Sequence, residues 1–261
     1  MERLTSFNFK MGIAHFIQAS IMVLVALFVL PDLTEFEPTI VAYHMDLNAE
    51  FELITVAKDL FTLPFALITT GFLFLSAFFH FLIVIFKRNY EKQITRGYNK
   101  YRWIEYALSS SLLIALLAVL FGVRDIQTLS LIFIANAVMN LLGLEMEMQN
   151  QYTEKTRFSP YWLGWIIGLA PWAAILMYLF FSPNLDLVPW YGWASIIAYF
   201  AFFNSFAINM LLQYTKVGPW KNYEFGERVY IWLSLIAKST IAWIVFSGAI
   251  QTSNIISDLF S

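Results

Sequence analysis

The stretch Val229–Ile250, VYIWLSLIAKSTIAWIVFSGAI, decides how the chain folds. It is apolar throughout apart from small hydroxyls and one full charge, Lys238, near its middle. About 20 residues rising ~1.5 Å each cover the ~30 Å hydrocarbon core of a bilayer, so this run is long enough to cross one. A lysine at that depth costs roughly 2.5–3.5 kcal/mol on insertion scales and needs a partner, a neutral form or a covalent bond at its nitrogen. A desolvated lysine amine is also the group that condenses with an aldehyde to a Schiff base. The rest of the chain reads as a container for that nitrogen.

Composition supports the same reading. The 261 residues are 59% hydrophobic and 13% charged, with mean hydropathy +0.65. Soluble domains carry about 25% charged residues, so this is an integral membrane protein. A net charge of −2 leaves no basic excess for phosphates and excludes nucleic acid as a partner. The absence of Cys excludes disulfides, thiolate metal sites and cysteine nucleophiles. MERLTSFNFK precedes a run of spanning length with no small-residue cleavage site close behind it, which predicts an uncleaved first helix.

Apolar runs of spanning length fall at residues 11–30, 61–86, 103–123, 126–144, 160–181, 189–213 and 229–250. They predict an all-α membrane protein, a single seven-transmembrane helix bundle over residues 1–261, without internal repeats. Of the 16 Lys and Arg residues, only Lys58 and Arg124 fall on the side opposite the N-terminus, and Lys238 lies inside the seventh run. The positive-inside rule then makes the N-terminus cytoplasmic, and an odd number of spans makes the C-terminus extracellular.

One long connection, Pro31–Leu60, is rich in acids, among them Asp32, Glu35, Glu37, Asp46, Glu50, Glu52 and Asp59. Within it PTIVAYHMDL and EFELITVAKDL alternate β-branched and aromatic residues around an Asn-Ala-Glu stretch, which predicts a short β-hairpin in the first extracellular loop. It reads either as a solvated acidic loop or as a cap or dimer contact. His44, within it, reads as exposed.

Few ionisable side chains fall inside the spans, and each is a functional hypothesis. His15 lies in the first run, His80 near the end of the second, Glu105 at the start of the third and Lys238 in the seventh. All fall toward the cytoplasmic half, and Lys238 leans back along its helix toward Glu105. A Lys–Glu pair can equally be a structural tie. The two histidines can be ordinary buried residues, and without a third ligand they make a poor metal site. Ser109 stands one turn after Glu105 and Ser234 one turn before Lys238, facing the same polar pocket. Glu145, Glu147, Glu224 and Glu227 read as headgroup-level charges paired with Lys155, Arg157 or Arg228, or else as an internal proton path. The aromatic stretches YWLGWIIGLAPWAA and YFAFFNSFAINM suit the walls around a flat apolar ligand, though aromatics also fill membrane cores and belts. Pro171 is expected to kink its helix beside any pocket.

The motifs RWIEYALSSS, FFNSFA, GERVYIWLSLIAKS with AWIVFSG, and the early AHFIQ and FFHF resemble heliorhodopsin, the inverted-topology branch of the microbial rhodopsins. The resemblance covers essentially the whole chain. It implies all-trans retinal bound covalently to Lys238 as a protonated Schiff base, with Glu105 as counterion and Ser109 and Ser234 hydrogen-bonded around the pair. It implies a retinal pocket containing Asn136, Met139, Gly143, Trp162, Pro171, Trp172 and Phe203. His15 and His80 match a proton-accepting cytoplasmic cavity, and the family forms homodimers using the first extracellular loop. Proton-pumping relatives carry a second carboxylate about three helical turns beyond the Glu105 position, where this chain has Leu116. They also carry one a turn before the lysine, where it has Ser234.

With no outward carboxylate relay, the reading is a light-sensing photoreceptor, not an enzyme, that signals by conformational change. The basic segment Lys87–Arg102 would be the surface for a cytoplasmic partner, or simply contact anionic lipid. Light-driven or light-gated proton transport is the alternative, and a retinal-free membrane scaffold or transporter is a third reading.

Overall fold

The computed structural model describes residues 2–29, 37–183, 185, 188 and 190–260, without the side chains of Glu2, Val29 and residues 249–260. Asp32 and Glu35 of the acidic connection therefore lie outside the described residues. Helix α1 (Glu2–Leu24) ends in a π-helical turn, Val25–Val29. A hairpin of β1 (Thr39–Leu47) and β2 (Leu53–Thr62) leads into α2 (Phe65–Ile85) and a short α3 (Lys87–Thr95). Then come α4 (Lys100–Leu120), α5 (Ile126–Asn150), α6 (Ser159–Phe180), α7 (Trp190–Tyr214), a 3-10 turn at Gly218–Lys221 and α8 (Tyr223–Phe260).

Seven of these helices are long and apolar enough to cross a membrane, as the hydrophobic runs predict. Their outer faces carry large apolar side chains such as Phe28, Ile85, Leu131, Ile166 and Ile197, which would cost heavily in water and nothing against lipid tails. The main buried cluster fills the hairpin end and middle of the bundle, with Phe72, Leu117, Ile175 and Phe246 at its centre. Gly12 lets α1 lie close on α2: a Cβ there would stand 2.9 Å from the Phe81 ring and 3.2 Å from His80 Cβ.

Three boundaries differ from the hydropathy reading. The first and last spans begin earlier, at Arg3 and Tyr223, because their first turns pack in the bundle despite their polar residues. Phe61 and Thr62 belong to β2, and Pro64, with no N–H to donate, stands at the head of α2. Part of the basic Lys87–Arg102 segment is helix α3, which buries Tyr90, Gln93 and Ile94 and exposes Arg88, Lys92 and Thr95. Pro171 lies within α6, which continues through it.

The hairpin is antiparallel, pairing Thr39 with Thr62 and Leu47 with Leu53, with a register shift between Ile40 and Val41. Asn48 shapes the turn: its Oδ1 accepts from the Glu52 N–H at 2.8 Å, while Phe51 takes a positive φ of 59°. Two strands alone are marginal in water. These are fastened to the bundle, where the Val41 N–H donates to the Arg124 carbonyl at 3.0 Å and Gln127 Nε2 to the Tyr43 carbonyl at 2.7 Å.

Beside that junction Asp125 caps α5, accepting from the Thr128 N–H and the Tyr178 hydroxyl, each at 2.7 Å. Burial alone would raise its carboxyl, but the bonds from Thr128 and Tyr178 outweigh it and hold the group below its usual range. Replacing Asp125 with Ala should cost about 1 kcal/mol from the lost cap, read by thermal unfolding in detergent. The contribution of a depressed carboxyl is complete above its unfolded value of ~3.9 and is lost as pH falls through the lower folded value. The acid limb of the pH–stability curve should therefore be shallower in Asp125→Ala than in the wild type.

Candidate functional site

Lys238 and Glu105 meet in the middle of the bundle. Nζ donates to Glu105 Oε1, and the side chains are only 6% and 8% exposed. A buried lysine with no anion would be a large penalty, so the pair needs every bond it has. Ser76 of α2 supplies two: its hydroxyl donates to Glu105 Oε1 at 2.7 Å and accepts from Nζ at 2.8 Å. The Tyr106 ring lies 5.1 Å from Nζ and adds a cation–π contact. Ser109 and Ser234, expected around the pair, are both buried nearby. Ser109 lies beside the Glu105 carboxylate, and Ser234 lines a small cavity with Glu105. Ser76 was the hydroxyl that sequence reasoning missed; it stands one turn before His80, on the same face of α2.

His80 and His15 stack, ring centres 5.5 Å apart with 15° between planes. His80 Nδ1 bonds Asn8 Oδ1 at 2.8 Å, while neither nitrogen of His15 has a partner among the described residues. Asn8 was not anticipated, because it precedes the first apolar run. Among the described residues no group of His, Cys, Asp or Glu could hold a metal ion.

On the other side of Lys238 lies an apolar cavity of about 150 Å3 that runs between α4, α5, α6 and α7. Of the expected pocket residues it is lined by Met139, Gly143, Trp172 and Phe203. Trp172 and Phe203 meet edge-on at 6.1 Å, and with Tyr106 and Tyr199 they form aromatic walls. Three expected residues do not line it. Asn136 is buried but donates to Ser110 and Ser111 at 2.8 and 2.9 Å, tying α5 to α4. Pro171 is buried next to Trp172, and Trp162 is 59% exposed on the lipid face of α6. Trp165 and Gly168, on the same helix, line the cavity. Helical phase at the tryptophans distinguishes Trp165 from Trp162, but composition alone does not.

Deeper in the same end of the bundle as α3 lies a second charged group. Arg102 pairs with both Glu147 and Glu227, all three buried. This corrects the expectation that Glu147 and Glu227 sit at headgroup level with Lys155, Arg157 or Arg228. It also explains how Glu105 can be deep only three residues past an arginine: that arginine is itself inside.

The model of the heliorhodopsin family matches residues 4–250. The chain belongs to the heliorhodopsin family. Comparison with curated protein sequences returns no match. Among solved structures it is similar to xanthorhodopsin, described as a light-driven ion pump with dual chromophore. That match has a TM-score of 0.57 at 14% identity and covers 97% of this chain and 96% of the other, which establishes a shared microbial-rhodopsin fold. Family and fold support a retinal-binding, light-responsive membrane protein.

The residues present fit such a chromophore. A lysine nitrogen closes one end of a cavity whose walls are flat and apolar, as a conjugated polyene aldehyde requires. Close packing shapes those walls. A Cβ on Gly143 would stand 2.3 Å from Trp103, whereas one on Gly164 would meet only ordinary contacts at 3.7 Å and beyond. Gly143→Ala should therefore destabilise the heliorhodopsin by about 1–3 kcal/mol through overpacking. Gly164→Ala should be neutral or stabilising, since Ala is the better helix former. Thermal unfolding of the two variants side by side checks the contrast.

Proposed function

We propose that this heliorhodopsin is a light sensor in which all-trans retinal is bound covalently to Lys238 with Glu105 as its counterion, the whole of residues 1–261 forming one retinal-binding domain. The observation that carries it is Lys238, held by Glu105 and Ser76 and lining the aromatic cavity with its own side chain. Retinal, when bound, supplies visible absorption and a photoisomerisation that displaces the polyene. Glu105 balances the positive charge at Nζ, and Ser76 fixes the distance between them. Met139, Gly143, Trp172 and Phe203 hold the apolar chain, with Asn136 and Pro171 shaping the helices behind them and Trp162 meeting lipid. Ser109 and Ser234 complete the polar shell, and His15 and His80 form the first cytoplasmic station for a proton leaving Nζ.

Sensing is favoured over pumping by the distribution of polar groups. Between the Lys238–Glu105 pair and the hairpin end, α4 after Tyr106 and α8 up to residue 248 contain no ionisable side chain. Leu116 and its neighbours there are packed apolar core. Toward the end that carries α3 a proton leaving Nζ meets buried His, Tyr and Glu side chains. Toward the hairpin end the polar groups near it are the neutral hydroxyls and amide of Ser109, Ser110, Ser111 and Asn136. By the distribution of Lys and Arg the α3 end is cytoplasmic, with the hairpin extracellular. The exposed apolar side chains of the hairpin, among them Met45, Phe51 and Leu53, suit a homodimer contact. Within Lys87–Arg102 the exposed cations Arg88, Lys92, Arg96 and Lys100 would offer the surface for a signalling partner, Arg102 being buried. Proton transport is the second reading, favoured by the buried carboxylates Glu147 and Glu227.

Purified with all-trans retinal, the protein should show a visible band that is absent in Lys238→Ala and shifted to the red in Glu105→Gln. A wild type without a band would return the pair to a structural or transport role in a retinal-free bundle. Electrical recording under illumination should show no sustained photocurrent, and a steady current would establish transport instead.

A further inference from the structure

The Arg102–Glu147–Glu227 group is larger than a structural tie requires. The guanidinium gives one nitrogen to each carboxylate and lies against the Tyr230 ring, 4.0 Å from its centre. Glu147 also accepts from the Asn99 N–H at 2.9 Å and the Tyr223 hydroxyl at 3.0 Å. Glu227 Oε1 accepts from Asn99 Nδ2 at 2.6 Å and the Tyr90 hydroxyl at 3.3 Å. The titratable groups facing the cluster are Tyr90 from α3, Arg102 from α4, Glu147 from α5, Tyr214 from α7, and Tyr223 and Tyr230 from α8. With both carboxyls ionised the group carries a formal charge of −1 away from water, a costly state that one added proton abolishes.

A shared cavity connects this group to Glu105 and Ser76, the partners of Lys238, and a hydrogen-bonded chain connects it to His80. The cavity, of about 30 Å3, is lined by Glu105, Ser76 and His80 and also by Glu227, Asn99 and Arg102. A water needs roughly 10–15 Å3 and two to four polar partners, so the space has room for about two waters between these groups. Beside it runs a chain of side chains: His80 Nδ1 to Asn8 Oδ1 at 2.8 Å, Asn8 Nδ2 to the Tyr90 hydroxyl at 3.4 Å, and Tyr90 to Glu227.

We propose that Glu227 is the terminal acceptor for the proton that leaves Lys238 Nζ in the light, with His80 a way-station. The proposal rests on the retinal reading of Lys238. The N–H bond at Nζ breaks and leaves its electron pair on nitrogen. The proton passes through water in the shared cavity, and an O–H bond forms at Glu227 Oε1. Charge balances: the Lys238–Glu105 pair goes from neutral to −1 as the Arg102 group goes from −1 to neutral. Arg102 keeps Glu147 and loses its ionic hold on Glu227. The change thus falls where α8 enters the bundle and where Tyr90 anchors α3.

Light-minus-dark infrared spectra test this. Wild type should gain the carbonyl stretch of a protonated carboxyl; Glu227→Gln should lack it, Glu227→Asp should shift it, and Glu147→Gln should keep it. A band unchanged in Glu227→Gln overturns the proposal. The retinal-free protein gives an independent readout, because Gln mimics the protonated acid. Glu227→Gln should unfold at a temperature equal to or above wild type, and a large drop would make Glu227 a permanently ionised structural partner. Loss of the retinal reading itself is distinguished by the absence of any visible band in wild type.

Discussion

A charged nitrogen cannot rest in hydrocarbon without an anion, and the geometry of the bundle follows from meeting that demand at Lys238. Glu105 must come from a different helix, so α4 and α8 are held side by side at that depth. Ser76 must reach both, which brings in α2. The pair leaves one flank free for a cavity, and α6 and α7 supply most of its aromatic wall. The polar and apolar halves of the site therefore meet at a single atom, Nζ.

The ionisable part of the polar half extends toward the end that carries α3. From Ser76 and Glu105 it continues through His80, Asn8 and Tyr90 to Glu227, Arg102 and Glu147. Toward the hairpin end the neutral groups of Ser109, Ser110, Ser111 and Asn136 give way to apolar core. Low dielectric strengthens each of these bonds and makes each unpaired group expensive, so such a network tends to have few arrangements of comparable energy. Lys238 and Glu227 also share α8, about three turns or ~16 Å apart, on an element that transmits displacement along its length.

The fold was largely legible in the sequence because the bilayer imposes one length and one polarity on every span. Lys238 and Glu105 were legible for the same reason, since a charge within an apolar run stands out. Arg102, Glu147, Glu227 and Asn8 were not, because they sit where spans begin or end. There the sequence of a headgroup-level charge and that of a buried one look alike. Burial at those positions is decided by neighbouring helices extending past the hydrophobic runs, as α1 and α8 do, and hydropathy carries no trace of it. Trp162 and Asn136 show the converse limit: a residue type suited to a pocket still depends on helical phase, which places one against lipid and the other in an α4–α5 tie. α3 was hidden because its nine residues are mostly polar and its buried face is only Tyr90, Gln93 and Ile94.

The hairpin is joined to the bundle through its own backbone at Val41 and Tyr43 and, at its base, through the buried side chain of Ile40. Main-chain bonds do not depend on which side chains the strands carry, apart from the need for Gln127 on α5. Placement and surface are thereby uncoupled: Met45, Leu47, Phe51 and Leu53 project outward from a fixed frame and have no role in holding it. Substitutions along that outer face alter what the protein meets outside the bundle while leaving the bundle itself as it was.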